Sequence, residues 1–153
     1  MAAGAWNIHD KFKRIMADGT LDLDNGAHVL RLSLYTSAAN LSAGAVSALS
    51  VIGSVSNEIA DGNGYSTSGK TMAADWTTGA SGGEMRYSGD SVFWSANGGT
   101  ISNIKFGTLW FSGASANARY ILAHSTLSTS QFNLTDTNRL TVTPSANGIF
   151  ELN

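Results

Sequence analysis

Short apolar runs separated by turn clusters predict a mainly β protein, an antiparallel β-sandwich or jelly-roll-like domain with a short N-terminal helix and one short additional helical segment. Three observations predict it. From Tyr65 onward, apolar runs alternate with turn-forming clusters at 79–83, 88–90, 96–99, 112–117 and 136–138, the spacing of a layered all-β domain. Within 28–35, Leu30, Leu32 and Leu34 alternate with Arg31, Ser33 and Tyr35, the period of a half-buried strand. The chain has 153 residues, the length of a single domain, and can bury roughly 70% of its unfolded surface without staples.

The first element is an amphipathic helix over 8–17. Phe12, Ile15 and Met16 share one face at i, i+3, i+4, with Asn7 as the cap and Gly19 just past the end. Lys11, Lys13 and Arg14 gather on the other side, as a solvated face. Residues 1–20 thus read as a helical arm on a domain spanning 1–153. A turn at Asp24-Asn25-Gly26 leads into the strand from His28 to Tyr35, with Leu30, Leu32 and Leu34 on one face and Arg31, Ser33 and Tyr35 on the other. Residues 41–55 are small and apolar, with Val46, Leu49 and Ile52 three apart. They predict a short helix or 3₁₀ segment ended by Gly53.

A strand is expected to open at Tyr65. In 101–111 the apolar parity changes from Ile104 and Phe106 to Leu109 and Phe111. A β-bulge at Gly107 would bring all four to one side. The strand 118–125 places Tyr120, Leu122 and His124 together. Leu140 and Val142 form a further strand stopped by Pro144. After a turn at Asn147-Gly148, residues 149–152 close the chain.

The composition excludes several classes. There is no cysteine, hence no disulfide and no thiolate zinc site. Charged residues are only 13%, against about 25% in an average soluble protein. Such a surface packs against other subunits at little desolvation cost. The net charge of −2 leaves no footprint for nucleic acid. No run approaches the roughly 18 apolar residues that span a membrane. The start, Met1-Ala2-Ala3-Gly4-Ala5-Trp6-Asn7, lacks the basic and apolar regions of a signal peptide. The expectation is a chain folded in the cytoplasm, so the sequons at Asn40 and Asn133 carry little weight.

The run Gly64-Tyr65-Ser66-Thr67-Ser68-Gly69-Lys70-Thr71 fits G-x-x-x-x-G-K-[ST] letter for letter. A phosphate loop needs a buried strand before it and a helix after it. Upstream, residues 57–63 hold one isoleucine among polar and turn residues. Downstream, residues 72–83 hold three glycines and oppose a helix. The run therefore reads as a glycine turn entering a strand, with Lys70 facing solvent.

No other catalytic pattern emerges. His9, His28 and His124 lack metal-ligand spacing, and His124 reads as a strand histidine facing a polar neighbour. No G-x-S-x-G elbow supports a serine nucleophile. Glu58, Glu84, Asp75 and Asp90 read as turn and surface carboxylates. Trp6, Trp76, Trp94 and Trp110, with Tyr65, Tyr87 and Tyr120, could stack sugars, or serve as core and interface aromatics. The chain is expected to be no enzyme and to need no cofactor or metal.

Asn57-Glu58-Ile59, followed by Gly62-Asn63-Gly64-Tyr65 and Ser68-Gly69, resembles a pattern of small structural proteins of tailed bacteriophages. Asn7-Ile8-His9-Asp10-Lys11-Phe12-Lys13 and Val29-Leu30-Arg31-Leu32-Ser33-Leu34-Tyr35 are similar to their D-K-F-K helix and first strand. Gly89-Asp90-Ser91-Val92-Phe93-Trp94 resembles their D-x-x-x-W strand. Leu140-Thr141-Val142-Thr143-Pro144 through Gly148-Ile149-Phe150 resembles their closing strands. Residues 108–118 depart from the pattern. The resemblance implies a virion structural protein, most specifically a capsid decoration or cement protein, with a tail or baseplate component as the alternative. It implies a trimeric β-sandwich located in the virion, assembled in the host cytoplasm, with the major capsid protein as partner; the charge and the lack of a long apolar run add the expectation that neither nucleic acid nor membrane is bound. Candidate contacts are the segment 6–12, with Trp6, Ile8 and Phe12, and the aromatic strand edges. A carbohydrate-binding β-sandwich is the reading from a different class.

Overall fold

In the computed structural model, which describes residues 5–23, 28–42, 44–79, 82–113, 119–145 and 147–152, the elements run in this order: β1 (Asn7–Ile8), α1 (Asp10–Ala17), β2 (Val29–Thr36), α2 (Ala45–Ala48), a 3₁₀ turn (Ile52–Ser54), β3 (Lys70–Thr71), β4 (Ala74–Thr78), β5 (Met85–Gly89), β6 (Val92–Ser95), β7 (Ile101–Ser112), β8 (Ile121–Thr126), β9 (Phe132–Leu134), β10 (Arg139–Val142) and β11 (Phe150–Leu152). The fold is mainly β and every pairing among the described strands is antiparallel.

The leucine stripe of β2 builds the centre. β2 pairs with β7 and β7 with β8. β1 lies at one edge of this sheet and β3 at the other, and β9 pairs with the start of β7. Leu30, Leu32 and Leu34, with Leu109, Phe111 and Leu122, pack into one core with Tyr87, Val92, Trp94, Leu140, Val142 and Ile149. The latter group comes from the β4–β5–β11 sheet, the β6–β10 ribbon and the loop before β11. The large sheet and the two small ones thus form a sandwich-like pair of layers. Phe12 and Ile15 of α1 are fully buried in the same core.

The other face of the large sheet is covered too. Tyr35, Phe106, Trp110 and Ile121 pack with Leu41, Ala45, Leu49 and Ile52. This explains why the polar side of β2 is not solvated: Ser33 and Tyr35 are buried, and the Trp110 indole N–H donates to Ser33 Oγ at 2.9 Å. The 41–55 segment is helical as expected, but Gly53 lies inside the 3₁₀ turn instead of ending it.

Several expectations shift. The N-terminal segment begins as a strand: Asn7 and Ile8 pair with His124 and Ala123, and the helix starts at Asp10 with His9 as its cap residue. Asn7 is already committed to β8, where its Nδ2 donates to the His124 carbonyl at 3.4 Å. No strand opens at Tyr65, which closes a tight bridge with Gly62. The bulge in β7 falls at Lys105, between the pairs Tyr35↔Phe106 and Thr36↔Ile104. It keeps Ile104 with Leu109 and Phe111 but sends Phe106 to the opposite core. A second irregularity, between Leu109↔Ala123 and Trp110↔Ile121, leaves Leu122 as the extra residue of β8. Leu122 and His124 therefore do not share a face: Leu122 enters the main core, while His124 meets His9. The turn expected at 24–26 lies outside the described residues, as do parts of 79–83, 112–117 and 118–125.

Candidate functional site

The glycine–lysine run makes no phosphate cradle. Gly69 leads into β3, where Lys70 pairs with Leu32 and Thr71 with Arg31. A Cβ on Gly69 would stand 1.9 Å from the Leu32 carbonyl oxygen, and one on Gly64 would stand 2.1 Å from that of Ser95. The glycines are therefore required by close strand approach. Glu58 organises the loop from inside: one carboxylate oxygen accepts the Tyr65 hydroxyl and the Ser68 N–H, each at 2.7 Å. The Tyr65 oxygen in turn accepts the Leu34 N–H at 3.0 Å. Arg31 donates from Nε to the Ser68 carbonyl at 2.8 Å and from Nη2 to that of Gly69 at 2.9 Å. Burial, then the Glu58 charge, pushes the hydroxyls of Tyr35 and Tyr65 far above ordinary phenol. The residues that carry the phage resemblance at 57–69 are thus a hydrogen-bonded scaffold for the β2 edge.

The structure joins two histidines that lie 115 positions apart. His9 Nε2 and His124 Nδ1 are 2.9 Å apart, with both side chains buried. The rings meet edge to face. His9 Nδ1 lies 2.9 Å from the Leu49 carbonyl oxygen, which can only accept, so this nitrogen carries a proton. In the neutral ring Nε2 must then accept, and His124 Nδ1 donates. Burial lowers the pKa of His9, against the favourable Leu49 carbonyl. Burial, followed by the charge of His9, lowers that of His124 to about 4. His124 does face a polar group, as its strand position suggested. The partner was illegible because no local spacing links an N-terminal segment to β8. His28 stands apart, beside the Asp22 carbonyl.

The proposed contact residues are dispersed. Phe12 has no exposed surface, stacks on Phe111 and meets Phe150 edge to face, so it is a core residue unavailable to a partner. Trp6 and Ile8 are half-buried against the same core. Of the aromatics considered for sugar stacking, Trp94, Trp110, Tyr65 and Tyr87 are buried and Trp6, Trp76 and Tyr120 are partly so. They form no open platform. The exposed ring is Phe93, 43% accessible, on the outer face of the β6–β10 ribbon opposite Thr141. The Arg139 guanidinium lies 3.7 Å from its centroid and Lys70 Nζ 5.0 Å. Lys70 also donates to the Phe93 carbonyl at 2.9 Å. Neither cation has a salt-bridge partner among the described residues. Val92-Phe93-Trp94 held the missed signal: two adjacent aromatics on a strand cannot both face the core.

Asp75 and Asp90 line one shallow cleft of about 340 Å³ with Ala73, Ala74, Thr77 and Ser88, whereas Glu58 is committed to the loop. No group of three or more His, Cys, Asp or Glu among the described residues could hold a metal ion. No described helix is long and apolar enough to cross a membrane. Both sequon asparagines have hydrogen-bonded side chains: Asn40 bonds Ser54 and Ser56, and Asn133, in β9, accepts the Asn103 N–H. No family model, curated protein or solved structure matches this chain.

Proposed function

We propose that this chain is a structural protein of a tailed-phage virion, a decoration or cement subunit that binds the capsid surface as a trimer. The sequence resemblance supplies the class. The observation that supports a docking role is the outward patch of Lys70, Phe93 and Arg139: an exposed aromatic ring between two cations without salt bridges. Aromatic and arginine side chains are the residue types that dominate interface energetics, and two flanking cations suit an acidic partner surface. Ser91, Ser95 and Thr143 surround them as an exposed hydroxyl rim. In this reading, copies of the subunit clamp neighbouring capsid proteins, and buried area repeated over many sites strengthens the shell.

The test uses mature empty capsids of the phage that encodes the chain. Saturable binding is expected, weakened at least about 30-fold by Phe93→Ala or Arg139→Ala, the loss typical of a hot-spot truncation. Phe93 is exposed enough for the substitution to leave the fold intact. Copurification with tails alone would replace the head assignment by the tail one. Binding to acidic glycans without binding to capsids would replace both.

A further inference from the structure

We propose that the His9–His124 contact is a proton-operated latch that holds the N-terminal strand on β8, closed while the pair carries at most one extra proton and open when it carries two. This inference does not depend on the capsid reading.

Hydrogen counting carries it. In the neutral pair the proton between the rings belongs to His124 Nδ1, because His9 Nδ1 is committed to the Leu49 carbonyl. One added proton can be absorbed: His9 donates from both nitrogens, and His124 shifts its own hydrogen to Nε2. A second leaves N–H facing N–H at 2.9 Å between two buried cations, an arrangement with no acceptor and strong repulsion. The rings must then separate.

Few polar contacts hold this stretch to the sheet, and its Trp6 and Ile8 are only half-buried against the core. β1 is two residues long. Beyond its pairing, its hydrogen bonds to β8 are the His9 N–H to the Leu122 carbonyl at 2.9 Å and the long Asn7 side-chain bond. By contrast, Phe12 and Ile15 anchor α1 in the core. Opening therefore peels away the segment ending at His9, which bears Trp6 and Ile8, and leaves the helix in place.

The surrounding groups do not neutralise a doubly charged pair. On the helix, Asp10 favours protonation of His9 and Lys13 opposes it. From β7, the residue opposite His124 is Thr108, whose buried hydroxyl lacks a hydrogen-bond partner. From the segment after α2 comes the Leu49 carbonyl. Lys11 lies over the Tyr120 ring, 5.9 Å from its centroid. Among the described residues, no carboxylate other than Asp10 acts on either ring.

Amide hydrogen exchange between pH 7 and 4, corrected for intrinsic rates, tests the latch. The His9 amide is expected to lose about a hundredfold in protection relative to the amides of β2 and β7, the ratio set by roughly two units of depressed proton affinity. His124→Asn keeps a donor or acceptor near the Nδ1 position and cannot take a proton, so its segment should stay protected across the range. The proposal is overturned if the segment and the β2–β7 amides lose protection together in the native chain, or if H124N opens as the native chain does. Should H124N fail to fold, ring-nitrogen shifts of the native protein decide. Two protons bound while the His9 amide stays protected overturn the latch; loss of that protection with the second proton sustains it.

Discussion

At Gly69 the letter pattern and the physical requirement part ways. The residue has φ +63 and no room for a side chain beside the Leu32 carbonyl. Gly69→Ala must push β3 away from β2, and a cost of at least about 3 kcal/mol is expected, since backbone cannot yield as a flexible side chain does. Gly98 separates the two causes. Its φ is +76 but nothing lies within 4 Å, so Gly98→Ala should cost only about 1 kcal/mol, the strain of the left-handed conformation alone. Lys70→Ala, at an exposed position, should change stability by about 0.5 kcal/mol or less. Denaturant melts of the three variants check this order. A cost for G69A no larger than that for G98A would remove the close-approach explanation. The sequence showed that glycines were needed and that the flanks opposed a nucleotide loop. It could not show that the obstacle was the backbone of β2, because β2 lies more than thirty positions upstream.

At the level of elements, legibility followed the range of the interaction. The face of α1 bearing Phe12 and Ile15 and the leucine alternation of β2 are local patterns, and both face the core as expected. The bulges at Lys105 and Leu122 were misplaced or missed because register is fixed by the partner strand, which a single strand's parity does not reveal. The two-residue β1 has no periodicity to detect. The helical 41–55 segment was visible, but its task was not: it roofs the face of β2 that the polar Ser33 suggested was solvated. That task yields a prediction. Ile52 is buried against Tyr35, Phe106, Trp110 and Ile121 as part of one cluster. Ile52→Ala should therefore destabilise by about 2–4 kcal/mol, as core truncations do. If 41–55 were a loosely attached flap, the loss in a chemical melt would stay below about 1 kcal/mol.

For the whole molecule, the buried titrating groups define a pH window of stability. His9 and His124 have lowered folded pKa values, the latter about 4 against an ordinary 6.5. Below pH 6.5 the unfolded chain takes up protons that the folded pair resists, so stability falls with pH and the loss levels off once His124 itself titrates near 4. For His124 this amounts to on the order of 2–3 kcal/mol. Tyr35 and Tyr65 act in the opposite direction. Their folded pKa values are raised above the ordinary 10.0, so the unfolded chain ionises first and stability declines as pH rises past about 10. Between these limits neither pair contributes a slope, and the unfolding free energy should form a plateau from about pH 6.5 to about pH 10. Two variants separate the arms. H124N should flatten much of the fall between pH 6.5 and 4 while leaving the alkaline side unchanged, and Tyr35→Phe should reduce the alkaline fall while leaving the acid side unchanged. Denaturant titrations at closely spaced pH values read both. An acid fall of equal size in H124N would remove His124 from the account of acid stability.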